Sequence, residues 1–100
     1  IKVACLGLAF KANIDDLRES PAVEITQHIA DFGCQVLAVE PNIKILPKNL
    51  SKPNMSLISL ADALATADIL CILVKHKSFV DTMEEIKRHN RTIDAVGLFA

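Results

Sequence analysis

The run KVACLGL at residues 2–8 begins with one lysine and continues as an apolar stretch that contains Gly7. A strand that helices cover on both faces has this pattern, because neither of its faces meets water. The run therefore predicts a central strand of a mostly parallel sheet.

The residues that follow predict a helix and a second strand. Ser20 and Pro21 supply an N-cap hydroxyl and a proline at the first helical position, and Gly33 is a natural C-terminal stop. Residues 34–39 predict the second strand, so this order predicts a right-handed βαβ unit. The helix face that we expect to be buried carries Ala22, Ile25, Ile29 and Phe32.

The rest of the chain continues the alternation of strands and helices. Residues 41–54, rich in proline, asparagine and lysine, predict an irregular connection. The later elements that we expect are a strand at 55–58, a helix capped by Ser59, a strand at 69–74, a helix capped by Ser78 and a strand at 92–96. The predicted fold class is a three-layer α/β/α Rossmann-like sandwich, with a mostly parallel sheet of about five strands in the order 3-2-1-4-5.

The composition limits the partners. Residues 1–100 have the make-up of one packed domain, with 51% hydrophobic and 23% charged residues. The 11 basic and 12 acidic residues are spread along the chain, so we expect no nucleic-acid partner. The longest apolar runs are far shorter than the ~20 residues of a membrane span, so we expect no membrane partner.

The cysteines and histidines suggest no special chemistry. Cys5, Cys34 and Cys71 lack CxxC spacing and lie in or beside apolar runs, which predicts reduced core thiols in a cytoplasmic protein. The three histidines lie far apart and lack companions at ligand spacing, so we expect no metal site.

The segment FKANIDDLRESP at residues 10–21 lies where this fold binds ligands, beyond the carboxyl end of the first strand. Lys11 and Arg18 can each bind phosphate oxygens, the first as a point charge and the second as a bidentate fork. Asp15 and Asp16 can hold those cations in position or accept ribose hydroxyls. The spacing equally allows a solvated loop whose charges pair only with one another.

A dinucleotide site is the obvious rival, because Glu40 ends the second strand, where an acidic residue could bind ribose. That fingerprint needs several glycines, whereas this loop has Gly7 followed by the bulky Phe10 and Lys11. Glu40 also lies 33 residues after Gly7, beyond the usual interval of about 20. We therefore expect no NAD binding by this chain and interpret Glu40 as a strand end.

The same segment resembles a family signature. GLAFK at residues 7–11, followed by DDLRESP at 15–21, is similar to the pattern G-x-x-F-K-x-x-x-x-D-x-R-x-S-P. That pattern opens the C-terminal UDP-binding domain of the UDP-glucose/GDP-mannose dehydrogenase family. The likeness covers essentially the whole chain. It departs at Lys75, His76 and Lys77, where the family commonly has an acidic residue and Trp, so the role of these three stays open.

The resemblance implies an NAD-dependent dehydrogenase that oxidises the C6 alcohol of a UDP-sugar to a carboxylate, in two hydride transfers through a catalytic Cys. It places the NAD site, that Cys and the helical segment of a homodimer in regions before this chain. The start at Ile1, within a predicted strand, also suggests a C-terminal fragment, inactive alone and without catalytic residues. Phe10 and Lys11 would contact the UDP portion, while Arg18 would order the loop with Asp15 or Asp16 or contact the substrate.

Two other functions remain to be separated from this one. A Rossmann-like regulatory or interaction domain without a ligand has the same fold class. A flavodoxin-like electron carrier is disfavoured, because the chain lacks a phosphate loop rich in Ser and Thr.

Overall fold

Five short strands form one sheet in the computed structural model, which describes residues 1–9, 11, 13, 17, 20–89 and 91–98. The strands are β1 (Lys2–Leu6), β2 (Gln35–Val39), β3 (Met55–Leu57), β4 (Ile69–Ile72) and β5 (Thr92–Asp94). The α-helices are α1 (Pro21–Asp31), α2 (Leu60–Thr66), α3 (Lys77–Asp81) and α4 (Met83–Lys87), and a 3₁₀ turn spans Lys48–Leu50.

The strand order is β3-β2-β1-β4-β5, and every neighbouring pair is parallel. The predicted order is therefore confirmed. Strand β1 lies at the centre, where Cys5 pairs with Ala38 of β2 on one side and with Cys71 of β4 on the other. Because the chain runs outward from β1 in both directions, the order reverses beside this strand, and ligands bind at such points.

Helices cover both faces of the sheet, which makes three layers as predicted. Alternate residues of β1 show the division, because Val3 and Cys5 belong to one apolar cluster and Ala4 and Leu6 to the other. The first cluster takes in α1 residues such as Ala22, Val23 and Ala30. The second contains Ala63 of α2, Phe79 of α3 and Ile86 of α4.

The buried face of α1 differs from the predicted one. Ile25 is 42% exposed and Phe32 is 87% exposed. The buried residues are Ala22, Val23, Thr26 and Ala30. Small side chains face the sheet. The buried Thr26 hydroxyl is satisfied within the helix, because it donates a 2.7 Å hydrogen bond to the Ala22 carbonyl.

The predicted caps have three different outcomes. The Ser59 hydroxyl accepts a hydrogen bond from the Asp62 backbone N–H, so the cap of α2 is confirmed. Ser20 precedes α1 as predicted, but its buried hydroxyl makes no cap bond and has no partner among the described residues. Ser78 is not a cap, because α3 already begins at Lys77 and His76 occupies the cap position. Thr82 then separates α3 from α4, where one helix was expected.

The cysteines occupy two environments. Cys5 and Cys71 are buried free thiols, as predicted, whereas Cys34 is only half-buried and packs against the edge of the α1-side cluster. Within the part of the chain that the structure describes, no helix is long and apolar enough to cross a membrane.

Candidate functional site

Three chain segments meet at the carboxyl edge of the sheet, after β1, β2 and β4. Gly7 follows β1 with φ +100°, and a Cβ on it would lie 2.5 Å from the Val74 Cβ. Its N–H donates to the Val39 carbonyl at 2.8 Å, which ties the end of β1 to the end of β2. Only glycine fits this close approach, so the backbone after β1 is held between its two neighbours.

Glu40, directly after β2, is the centre of this edge and is 3% exposed. Its Oε1 accepts the backbone N–H groups of Leu8 at 2.8 Å and Ala9 at 2.9 Å. Its Oε2 accepts both the backbone and the side-chain N–H of Asn42, each at 3.1 Å. A fifth contact joins Oε1 to His76 Nε2 at 2.8 Å. A buried carboxylate needs these hydrogen bonds, because they replace the water molecules that it loses on burial.

These hydrogen bonds keep Glu40 charged. Burial raises the pKa of the carboxyl, but the bonds from His76, Leu8 and Asn42 together outweigh it and bring the pKa below its ordinary value. Glu40 is therefore a buried negative charge at the sheet edge, and its acceptor capacity is filled.

His76, four residues after β4, is 1% exposed and has both ring nitrogens occupied. Nδ1 lies 2.8 Å from the Asn13 backbone nitrogen, and the Phe79 ring meets the imidazole edge-on at a centroid distance of 5.4 Å. Because a backbone N–H can only donate, Nδ1 is the acceptor and Nε2 carries the hydrogen that is donated to Glu40.

Asn13 attaches the β1–α1 loop to the residues that follow β4. Its φ is +64°, in the left-handed region that Asn tolerates better than most residues. Its side-chain Oδ1 accepts the Lys77 backbone N–H at 2.7 Å, beside the bond from its own N–H to His76. The residue therefore clamps the loop to the start of α3 by two hydrogen bonds.

The site residues predicted from the sequence lie in this loop. Lys11 is exposed at the carboxyl edge, in the sequence between Ala9 and Asn13, which are both anchored. The other predicted residues, Phe10, Asp15, Asp16 and Arg18, lie outside the described residues, so their roles stay predictions.

Three residues of the site were missed, namely Glu40, His76 and the clamp residue Asn13. Glu40 is more than a strand end, since it holds three segments together, and His76 lies in the stretch whose role was open. The available signal was an acidic residue that ends an apolar strand at the ligand edge, where a buried charge implies a partner. Nothing in the local pattern identifies that partner as His76.

A cleft of about 590 Å³ lies at the opposite, amino-terminal edge of the sheet. It is lined by Asp68, Glu85, Arg88, His89 and Arg91, together with Leu64 of α2 and the following Ala67. The His89 Nε2 is held by the Ala67 carbonyl at 2.8 Å. Acidic and basic groups are mixed here, so the cleft offers no concentrated charge for an anion. Among the described residues, no group of His, Cys, Asp or Glu is arranged to hold a metal ion.

An open parallel α/β sheet, with an anchored loop at the carboxyl end of its central strand, is typical of the class of Rossmann-like ligand-binding domains. Residues 4–100 match the UDP-glucose/GDP-mannose dehydrogenase family, UDP binding domain. The chain therefore belongs to this family and corresponds to its C-terminal UDP-binding domain.

Named relatives agree with this assignment. The chain is 51% identical over 86 residues to UDP-N-acetyl-D-mannosamine dehydrogenase of Campylobacter jejuni, covering 84% of this chain and 21% of that protein. It is 48% identical over 100 residues to the enzyme of the same name from Escherichia coli K12, covering 99% and 24%. NDP-N-acetyl-D-galactosaminuronic acid dehydrogenase of Ralstonia nicotianae is 43% identical, covering 98% and 23%.

A solved structure shares the fold. A ternary complex of GDP-mannose dehydrogenase from Pseudomonas aeruginosa superposes with a TM-score of 0.74 at 29% identity, covering 96% of this chain and 24% of that one. The chain thus spans about a quarter of the length of the relatives it matches.

Proposed function

We propose that this chain binds the nucleotide end of a UDP-sugar, as the C-terminal domain of a longer NAD-dependent UDP-sugar 6-dehydrogenase. The observation that carries the proposal is the exposed Lys11, placed beyond the central strand between two anchored positions of the family loop. An ammonium group presented there can meet diphosphate oxygens without reorganising the backbone on either side.

The neighbouring residues have supporting roles in this proposal. Phe10 packs against the UDP portion, and Asp15 and Asp16 order the loop. Arg18 either orders the loop with these carboxylates or contacts the substrate directly. A phosphate next to the buried Glu40 charge would be repelled, so the cationic groups of the loop must separate the two.

The particular substrate that we propose is UDP-N-acetyl-D-mannosamine, oxidised to UDP-N-acetyl-D-mannosaminuronate. Its support is the identity of 48% over the full chain to a dehydrogenase named for that sugar. We place the enzyme in the cytoplasm, as a homodimer that supplies polysaccharide biosynthesis. The NAD-binding and dimer-forming regions would precede this domain.

The residues of this chain do not fit NAD. Glu40 holds the position from which an acidic residue binds ribose in dinucleotide domains, but its five hydrogen bonds leave it no free acceptor directed outward. Val74 fills the space beside Gly7, where a pyrophosphate would need a close backbone approach. We therefore place the cofactor outside this chain.

The two buried thiols of this chain, Cys5 and Cys71, do not fit the catalytic step either. Burial raises the pKa of Cys5 to about 12, and it also raises the pKa of Cys71. A nucleophilic cysteine needs an accessible thiolate, so these buried thiols are poor candidates. We place the covalent step, like the cofactor, in another region.

Separate calorimetric titrations with UDP, UDP-N-acetylglucosamine and NAD test the proposal. We expect binding of both UDP compounds and no binding of NAD. We also expect no NADH when the chain alone is supplied with NAD and UDP-N-acetylmannosamine. If the chain bound neither UDP nor UDP-N-acetylglucosamine, the result would favour the alternative of a ligand-free regulatory or interaction domain.

A further inference from the structure

His76 connects the two anchored positions on either side of Lys11. Glu40 Oε1 accepts both the Ala9 N–H and the His76 Nε2–H, and His76 Nδ1 accepts the Asn13 N–H. The imidazole thus joins the carboxylate that holds one side of Lys11 to the backbone group that holds the other. Each link is short, at 2.8 to 2.9 Å, and the ring is buried.

Only one protonation state of the ring fits these contacts. The Asn42 Nδ2 lies 3.1 Å from Glu40 Oε2, and because a carboxylate can only accept, this fixes which end of the Asn42 amide is the NH₂. That NH₂ is also the group 3.5 Å from His76 Nδ1. Both neighbours of Nδ1 are therefore N–H donors, and the neutral ring with hydrogen on Nε2 satisfies them.

A second proton would have to enter at Nδ1, where it would face the Asn13 N–H. The bond from Nε2 to Glu40 would survive and would gain charge attraction, so the contact that breaks is the one to Asn13. The described groups that face or flank the ring are Glu40 after β2, Asn13 in the loop, Asn42, Phe79 of α3, and the exposed Lys75 and Lys77, of which Lys77 is ion-paired with Asp81.

We propose that His76 is a positioning residue for nucleotide binding, which holds Asn13 beside Lys11 through its Nδ1 atom. The inference rests on the proposed function and adds a buried positioning residue to the same site. His76 would not touch the nucleotide. It would act through the Asn13 backbone, and thereby on the position of the Lys11 ammonium.

Two substitutions separate the two hydrogen bonds of the ring. In His76→Asn, the amide oxygen can take the place of Nδ1 and accept from Asn13, but the contact to Glu40 is lost. In His76→Gln, the amide nitrogen can take the place of Nε2 and donate to Glu40, but Asn13 loses its acceptor.

The experiment is a calorimetric titration of each variant with UDP-N-acetylglucosamine at neutral pH. We expect His76→Gln to bind about threefold to tenfold more weakly than wild type, the range of one hydrogen bond. His76→Asn, which keeps an acceptor for the Asn13 N–H, should bind with nearly wild-type affinity.

A matched control and a ligand-free readout complete the test. His89 also donates from Nε2, to the Ala67 carbonyl, and accepts at Nδ1, from the Arg91 N–H, but it lies at the opposite edge. His89→Asn should therefore leave the affinity unchanged. Nitrogen NMR of the wild-type chain at neutral pH should show an unprotonated His76 Nδ1 and a scalar coupling from it to the Asn13 amide nitrogen.

The outcomes are distinguishable. A protonated Nδ1 at neutral pH, a missing coupling to Asn13, or an affinity of His76→Gln equal to that of wild type would overturn the positioning role. If the wild-type chain bound no UDP compound, the proposed function would be wrong. The role of His76 in nucleotide binding would then be wrong as well. The coupling would then still decide whether His76 holds Asn13.

Discussion

The Nε2 atom of His76 lies 2.8 Å from Oε1 of Glu40, and both side chains are buried although 36 positions separate them in the chain. This contact joins the ends of β2 and β4 across the end of β1, where Glu40 also takes the N–H groups of Leu8 and Ala9. A polar network thus holds the backbone of the proposed binding edge, in place of the apolar packing that holds the rest of the sheet.

Replacing Glu40 by Gln should lower stability in a pH-dependent manner. The folded pKa of Glu40 lies below its ordinary value of 4.5, so its charge stabilises the fold above that value, and this contribution disappears as the pH falls through the folded pKa. At neutral pH we expect Glu40→Gln to lose about 2 to 3 kcal/mol, because an amide NH₂ would face donors. Urea unfolding at several pH values measures this loss.

Asp31→Asn is the matched control for Glu40→Gln. The pKa of Asp31 is also lowered, chiefly by its hydrogen bond from Lys52, but this pair is exposed and screened by water and salt. We expect a much smaller change in the acid limb of the stability curve. Equal effects of the two substitutions would contradict the account of Glu40 as a buried charged anchor.

Gly7→Ala should destabilise the chain more than Gly33→Ala. Both glycines have positive φ, at +100° and +90°, so alanine is strained at either position. Only Gly7 also lacks room, since its Cβ would meet the Val74 Cβ at 2.5 Å, whereas nothing lies within 4 Å of a Cβ on Gly33. We expect about 1 kcal/mol for Gly33→Ala and about 3 kcal/mol or more for Gly7→Ala, measured by urea unfolding. Equal losses would mean that the approach of Val74 is unimportant.

The three thiols should react in a definite order. Cys34 is half-buried, whereas Cys5 is fully buried, and burial raises the pKa of its thiol to about 12. A bulky alkylating reagent should therefore modify Cys34 first in the native chain and Cys5 last, because the thiolate is the reacting form. Mass spectrometry of peptides over time measures the order. Labelling of Cys5 before Cys34 under native conditions would refute this description of the core.

Lys11→Ala should weaken binding of UDP about tenfold to a hundredfold, the range of a charge-assisted hydrogen bond. The thermal stability of the Lys11→Ala variant should change little, because the Lys11 side chain is exposed. Lys52→Ala removes the same charge near the end of α1, far from the loop, where Lys52 pairs with Asp31. This control should bind UDP as wild type does. An affinity of Lys11→Ala within twofold of wild type would remove Lys11 from the site.

The fold was predictable because its main signals are local. The apolar runs of β1, β2 and β4 are continuous, and Gly33 with Ser59 mark helix boundaries, so the strand order followed from the alternation of elements. The buried face of α1 was predicted only in part. Ala22 and Ile29 lie against the core as predicted, whereas periodicity wrongly ranks Ile25 and Phe32 above Thr26. The sheet instead takes the smaller side chains, and the Thr26 hydroxyl is satisfied within the helix.

The site was predictable only in part. The position of Lys11 follows from the place of its loop after the central strand, and that rule needs no knowledge of tertiary contacts. The Glu40 to His76 contact and the clamp at Asn13 join residues that are remote in sequence, and each partner alone is compatible with a solvated position. Such pairs become visible only when the strand ends are brought together.

Mapping of UDP binding by amide NMR shifts of the wild-type chain tests the central claim most directly. The account predicts that the shifted amides are those of Leu8, Ala9, Lys11 and Asn13, at the carboxyl edge of the sheet. Shifts confined to Arg88, His89 and Arg91 would place the ligand in the cleft at the opposite edge, and the absence of any shift at saturating UDP would exclude nucleotide binding. Either result would contradict the account.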